Sequence, residues 1–152
     1  MSTQSTKVDT TNQLFTDTDI TKIFVFDNRF EDDNFVNNSD YDPITLLAGT
    51  VMGRVSATGS LRAVQAGASD GSEFIVGILA EDLIVVDGET ETATICVSGD
   101  VVESKLLFFN SAATGFGLDT VTNGRRQRDR IAGDTVGVKL VAGDQLTGVD
   151  NS

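Results

Sequence analysis

From Ile44 onward the chain alternates short apolar runs with glycine-bearing turns, the pattern of a small β domain. The runs are Ile44 to Leu47, Thr50 to Val55, Glu73 to Leu79, Leu83 to Val86, Thr92 to Val97, Val101 to Phe109 and Thr135 to Val141. Between them stand Asp70-Gly71, Asp87-Gly88, Ser98-Gly99 and Asn123-Gly124, residue pairs that tolerate positive φ at tight reversals. Inside the runs the period is two. Ala93, Ile95 and Val97 fall on one face opposite Thr92, Thr94 and Cys96, and Val136, Val138 and Leu140 share another. The pattern predicts an all-β fold, a small barrel or sandwich with little helix, and one short helix over Arg125 to Ile131 behind an Asn123 cap. No repeat of about 20 to 50 residues suggests a solenoid.

The first third has a different texture. Residues 1 to 21 are mostly Ser, Thr, Asn, Gln and Asp, with isolated apolar Val8, Leu14, Phe15 and Ile20. Such a stretch buries too little to stay ordered alone, which predicts a flexible arm. A β-prone cluster follows, Ile23-Phe24-Val25-Phe26, and then an acidic, Asn-rich segment from Asp27 to Asp42 that reads as a solvated linker. Asp42-Pro43 favours extended backbone and marks a hinge. The expected organisation is therefore an arm over 1–43, a β domain over 44–142 and a tail over 143–152, with a folded domain left if residues 1–43 are removed. Residues 22 to 26 read equally well as arm seeking a partner edge or as a strand of the domain.

At 152 residues the chain supports one core. Its net charge of -12 argues against direct nucleic-acid binding, which draws on Lys and Arg to release counterions, and against an anionic membrane surface. No apolar run approaches the roughly 20 residues that span a bilayer. Met1 to Lys7 shows no basic segment followed by a signal-length apolar stretch, so the protein is expected to be cytoplasmic when made. Cys96, the single cysteine, sits in an alternating run and reads as a small core residue.

Catalytic chemistry is thinly represented. The chain has no histidine, which removes the commonest general base, metal ligand and partner for a nucleophile. Ser104-Lys105 could form a Ser-Lys pair, but neighbours on a strand point to opposite faces. Gly49, Gly53 and Gly59 match no phosphate-binding fingerprint. Asp32-Asp33-Asn34 and Asp40-Tyr41-Asp42 offer oxygen ligands without the glycine and glutamate of a calcium loop. No enzyme activity, cofactor or metal is expected. Arg125, Arg126, Arg128 and Arg130 form a basic cluster that should meet carboxylates, whether of the arm, a neighbouring subunit or another protein.

The stretch Ser69-Asp70-Gly71-Ser72-Glu73-Phe74-Ile75-Val76-Gly77-Ile78-Leu79-Ala80 resembles the "DG…GILA" segment of lambda-type phage head decoration proteins. Thr92 to Gly99 and Val101 to Leu107 are similar to the strand, turn and apolar segment that follow it in that family. Ala48 to Val55 with Thr58-Gly59 looks like an opening hairpin, and Arg128 to Val141 like the closing element. The resemblance covers roughly residues 46 to 141, is strongest over 69 to 107, and leaves the acidic segment and the tail outside it.

What the resemblance implies is a virion protein of the β-tulip type with a mobile N-terminal arm. It implies a homotrimer that binds the major capsid protein on the outside of the expanded head, at three-fold and quasi-three-fold sites, and stabilises the shell against DNA pressure. Ile20, Ile23, Phe24, Val25 and Phe26 are then the expected capsid-binding residues of the arm, adding a strand to an exposed sheet edge. The rival readings are a β module of a phage tail, fibre or bacterial appendage, and a Ser-Lys hydrolase. The lack of Trp and the single Tyr weaken any role in glycan stacking.

Overall fold

The structure, a computed structural model, describes residues 23–37, 43–122, 124–134 and 137–142. Its spine is β7 (Thr90–Val102), thirteen residues in which Ala93, Ile95 and Val97 turn inward while Cys96 turns out, the alternation that the sequence predicts. Antiparallel to it along its whole length runs β1 (Phe24–Val36), from Phe24 opposite Val101 to Val36 opposite Thr90. The other long edge of β7 is shared by two strands. β5 (Ile75–Leu79) pairs antiparallel at Ile95 and Cys96, and β10 (Gly137–Val141) pairs parallel from Ser98 to Val102.

Closure comes through two short strands. β3 (Val51–Arg54) lies between β5 and β4 (Leu61–Ala63), and β4 meets β1 in a parallel pair, Phe35 with Leu61. The order β7-β1-β4-β3-β5 thus returns to β7 and makes a five-strand barrel, which leaves those strands no open edge around the ring. A separate ribbon of β2 (Ile44–Leu46) and β6 (Leu83–Val85) covers one part of the barrel. After β7 come a 3-10 turn (Glu103–Lys105), the four-residue helix α1 (Ser111–Thr114), a small ribbon of β8 (Val121–Thr122) and β9 (Arg125–Arg126), and the helix α2 (Gln127–Asp134).

Two apolar clusters hold these parts together. Inside the barrel, Met52, Leu61, Leu79, Ile95 and Phe35 pack with the ribbon's Leu46 and Val85. Outside it, Ile75, Ile78 and Cys96 are covered by Phe24, Phe108, Phe116, Ile131 and Val138, with Phe108 and Phe116 edge to face at 5.3 Å. Close backbone approach needs glycine at Gly53, where a Cβ would stand 2.0 Å from the Ser72 carbonyl oxygen.

Several sequence expectations change. The boundary at Pro43 does not separate arm from body, because β1, which lies within residues 1–43, is a stave of the barrel. Phe24 and Phe35 anchor its two ends in the core, and the acidic residues between them stay on its accessible sides. Ser98-Gly99 is not a turn between strands. Gly99 (φ 105°) lies inside β7, opposite a bulge in β1 where Asp27 (φ 53°) and Asn28 face it together and the pairing register shifts. The run Val101 to Phe109 stops being strand at Val102, where the chain tightens into the 3-10 turn. The helix expected over Arg125 to Ile131 appears as α2, one turn later. Its Asn123 cap, the hinge's Asp42, the tail over 143–152 and everything before Ile23 lie outside the described residues.

Candidate interaction surfaces

The residues proposed from sequence as an arm divide between core and surface. Ile20 lies outside the described residues. Ile23 and Phe24 are buried in the outer cluster, with Ile23 packed near Gly49, and Val25 is half-buried. Of these residues only Phe26 is presented outward, 68% exposed, two residues beyond the core anchor Phe24. Phe30, partly exposed, meets Phe24 edge to face at 5.3 Å. Of the two readings of residues 22 to 26, Phe24 to Phe26 is thus a strand of the domain.

The acidic stretch of β1 is tied into the sheet by hydrogen bonds and an ion pair. Asp33 pairs with Arg54, whose guanidinium also donates to the Gly59 carbonyl at 2.7 Å, and the Thr94 hydroxyl donates to Asp32 at 2.7 Å. Among the described residues no group of three or more His, Cys, Asp or Glu side chains is placed to hold a metal ion. Ser104 and Lys105 fall in the 3-10 turn and are exposed, so no enclosed site surrounds that pair. The Cys96 thiol is buried, and burial pushes its pKa up, which disfavours the reactive thiolate.

The basic cluster does find carboxylates, and within its own chain. Arg128 donates to Asp119 at 2.8 Å and to Glu103 at 3.0 Å. The same hydrogen bonds hold the Asp119 carboxyl below its usual pKa and raise that of Arg128. Arg126 lies 3.3 Å from Asp129 and 3.9 Å from Asp119. Arg125 donates to the Asp129 carbonyl, and the buried Arg130 donates to the Thr122 carbonyl at 2.7 Å while stacking 6.0 Å from the Phe74 ring. Cluster and carboxylates together pin β9 and α2 to the end of β7.

Exposed apolar side chains gather in separate places. Phe74 (55% exposed) and Val121 (61%) flank the arginines, while Ile84 (64%) and Val86 project from the β6 ribbon. A shallow cleft of about 190 Å³ is lined by Leu47, Thr50, Leu107 and Phe109 among others. Sequence reading missed these positions. Their signal was phase, since Ile84 precedes the buried Val85 in a run where only one face can go inward.

A closed barrel with a modest outer core, internally paired charges and its apolar character on outward faces defines a β structural protein that works by contact. No curated protein matches the chain in sequence. The family of the bacteriophage lambda head decoration protein D matches residues 41–121, just over half of the chain, and the chain belongs to that family. It is a structural decoration protein of the phage capsid. The matched span contains β2 to β7 and reaches the first residue of β8, and β1, β9, α2 and β10 lie beyond it.

Proposed function

We propose that the protein binds the outside of the expanded head as a homotrimer, at three-fold and quasi-three-fold sites, and stabilises the shell against the pressure of packaged DNA. Family membership is the observation that carries this reading. The partner is the major capsid protein. Residues before Ile23, with Ile20, act as the arm that adds a strand to an exposed edge of that protein, and the outward Phe26 extends the contact from the body.

Stabilisation follows from linkage. A ligand that binds the expanded lattice and not its precursor favours the former by RT ln(1 + [L]/Kd), about 2.7 kcal/mol per site at a hundredfold excess. Three arms on one trimer raise effective concentration, so weak single contacts release slowly. The test is to mix the purified chain with expanded and unexpanded shells of its phage, pellet both and count bound copies. Binding to expanded shells alone, saturating in threes, supports the reading. Equal binding to both shells, or none, refutes it.

A further inference from the structure

An apolar cleft and the start of the described chain share one strip of backbone. The cleft, about 190 Å³, is lined by Leu46, Leu47, Thr50, Leu107, Phe108 and Phe109, and none of its lining residues is charged on a chain of net charge -12. Leu47 and Leu107 stand exposed there, apolar surface that is stabilised when covered. One wall is built where Thr50 bridges Leu107. The Val51 N–H donates to the Leu107 carbonyl and the Leu107 N–H to the Gly49 carbonyl, each at 2.9 Å. On that Gly49 rests the first described residue, with Ile23 Cδ1 3.7 Å from the point where a Cβ on Gly49 would stand. The chain before Ile23 therefore departs from the strip that forms the cleft wall.

What precedes Ile23 carries the complementary features. Leu14-Phe15 is the one adjacent pair of large apolar side chains in residues 1–22. Phe15 stands eight residues before Ile23, a span of up to about 26 Å when extended, long enough to pass from Gly49 over the wall into the cleft. Asp17 and Asp19 lie between the two. Lys105 is exposed on the same strip, its carbonyl against Gly49, and its ammonium pairs with no carboxylate among the described residues.

We propose that in the free protein the Leu14–Phe15 segment of this chain seats in the cleft, and that binding the shell draws it out. This rests on the arm reading above and adds what holds the arm before a shell is met. A segment tethered so close meets the cleft at an effective concentration on the order of millimolar, which favours it over a separate partner. Contact with the shell must then exceed what the cleft gives up, so encounters too weak to extract the arm do not persist.

The test uses full-length variants, and circular dichroism checks that each is folded. Leu107→Cys places a thiol at the cleft, while the native Cys96 is buried. Maleimide labelling of the new thiol should be about tenfold slower with the wild-type arm than with Leu14→Ser/Phe15→Ser, because the rate scales with the open fraction. An Ile84→Cys control on the exposed ribbon should label equally with either arm. Equal rates at Leu107→Cys, or the same change at Ile84→Cys, overturn the inference. Phe15→Cys combined with Leu107→Cys should form a disulfide within one 16.1 kDa chain. Linkage between copies, seen as doubled mass on a non-reducing gel, overturns it. The oxidised chain should leave expanded shells bare until a reductant is added, and decoration by the oxidised chain overturns the release step. A wild-type chain that binds no shells defeats the functional reading instead, since labelling is read without shells.

Discussion

The inside of the barrel and the layer outside it share strands but are completed by different parts of the chain. Met52, Leu61, Leu79 and Ile95 fill the interior from strands within the family-matched span, with Phe35 of β1 the contribution from beyond it. The outer layer combines Phe108 and Phe116 from that span with Ile23, Phe24, Ile131 and Val138 from outside it. Hydrogen bonds run around the whole ring and hold the interior, whereas the outer layer is held by one short helix, an edge strand and loops. The barrel interior is thus drawn almost wholly from the matched span, whereas the outer layer joins that span to segments on either side of it.

The comparison breaks most severely if β1 is removed. Deleting residues 1–37 takes away the stave between β7 and β4 and is expected to abolish cooperative unfolding, whereas deleting residues 1–22 should leave the melting transition intact. A soluble, cooperatively melting chain without β1 would show that the ring is dispensable. Next in size, Met52→Ala inside the ring should cost about 2–5 kcal/mol by urea titration, with no change in the extent of unfolding.

Ile131→Ala sharpens the contrast between the layers. Amide exchange should speed up in α2 and β10 and stay slow in β5 and β7, and uniform acceleration would mean that the two layers open as one. Gly99→Ala should cost about 1–3 kcal/mol, since its φ is positive and an added Cβ would stand 2.6 Å from the Asp27 carbonyl oxygen.

The smallest effect is electrostatic. The Ser72 hydroxyl and amide hold Asp70 below its ordinary pKa of 3.8. The stabilisation is therefore complete above that value and is lost as pH falls through the lowered one. Ser72→Ala should cost no more than about 1 kcal/mol at pH 7, since Asp70 is largely exposed, and the cost should shrink in acid. A cost independent of pH would assign the role of Ser72 to packing alone.

Most of the barrel was legible because its strands alternate in the sequence, as β7 does, or form short apolar runs between turns, as β5 does. β1 was not, because its burial sits at its ends. Phe24 and Phe35 are core, while Asp32 and Asp33 between them meet Thr94 and Arg54, partners distant in sequence. The same reason hid the role of Gly99, which reads locally as a turn and gains its meaning only from the bulge at Asp27 and Asn28 across the ladder. The arginines signalled their need for carboxylates, but only the fold shows that Glu103 and Asp119 supply them. Phase alone set Ile84 apart from the buried Val85, whereas the exposed Phe74 and Val121 lie outside any alternating run and carried no such mark.

The long ladder between β1 and β7 also sets a clock. Phe24 pairs with Val101, so the first stave of the ring cannot find its partner until most of the chain has left the ribosome. Pairings of such sequence separation put folding in the slow, millisecond-to-second range typical of β barrels. In the interval β1 is an unpaired strand bearing Phe26 and Phe30, and its acidic centre keeps such nascent edges from joining one another.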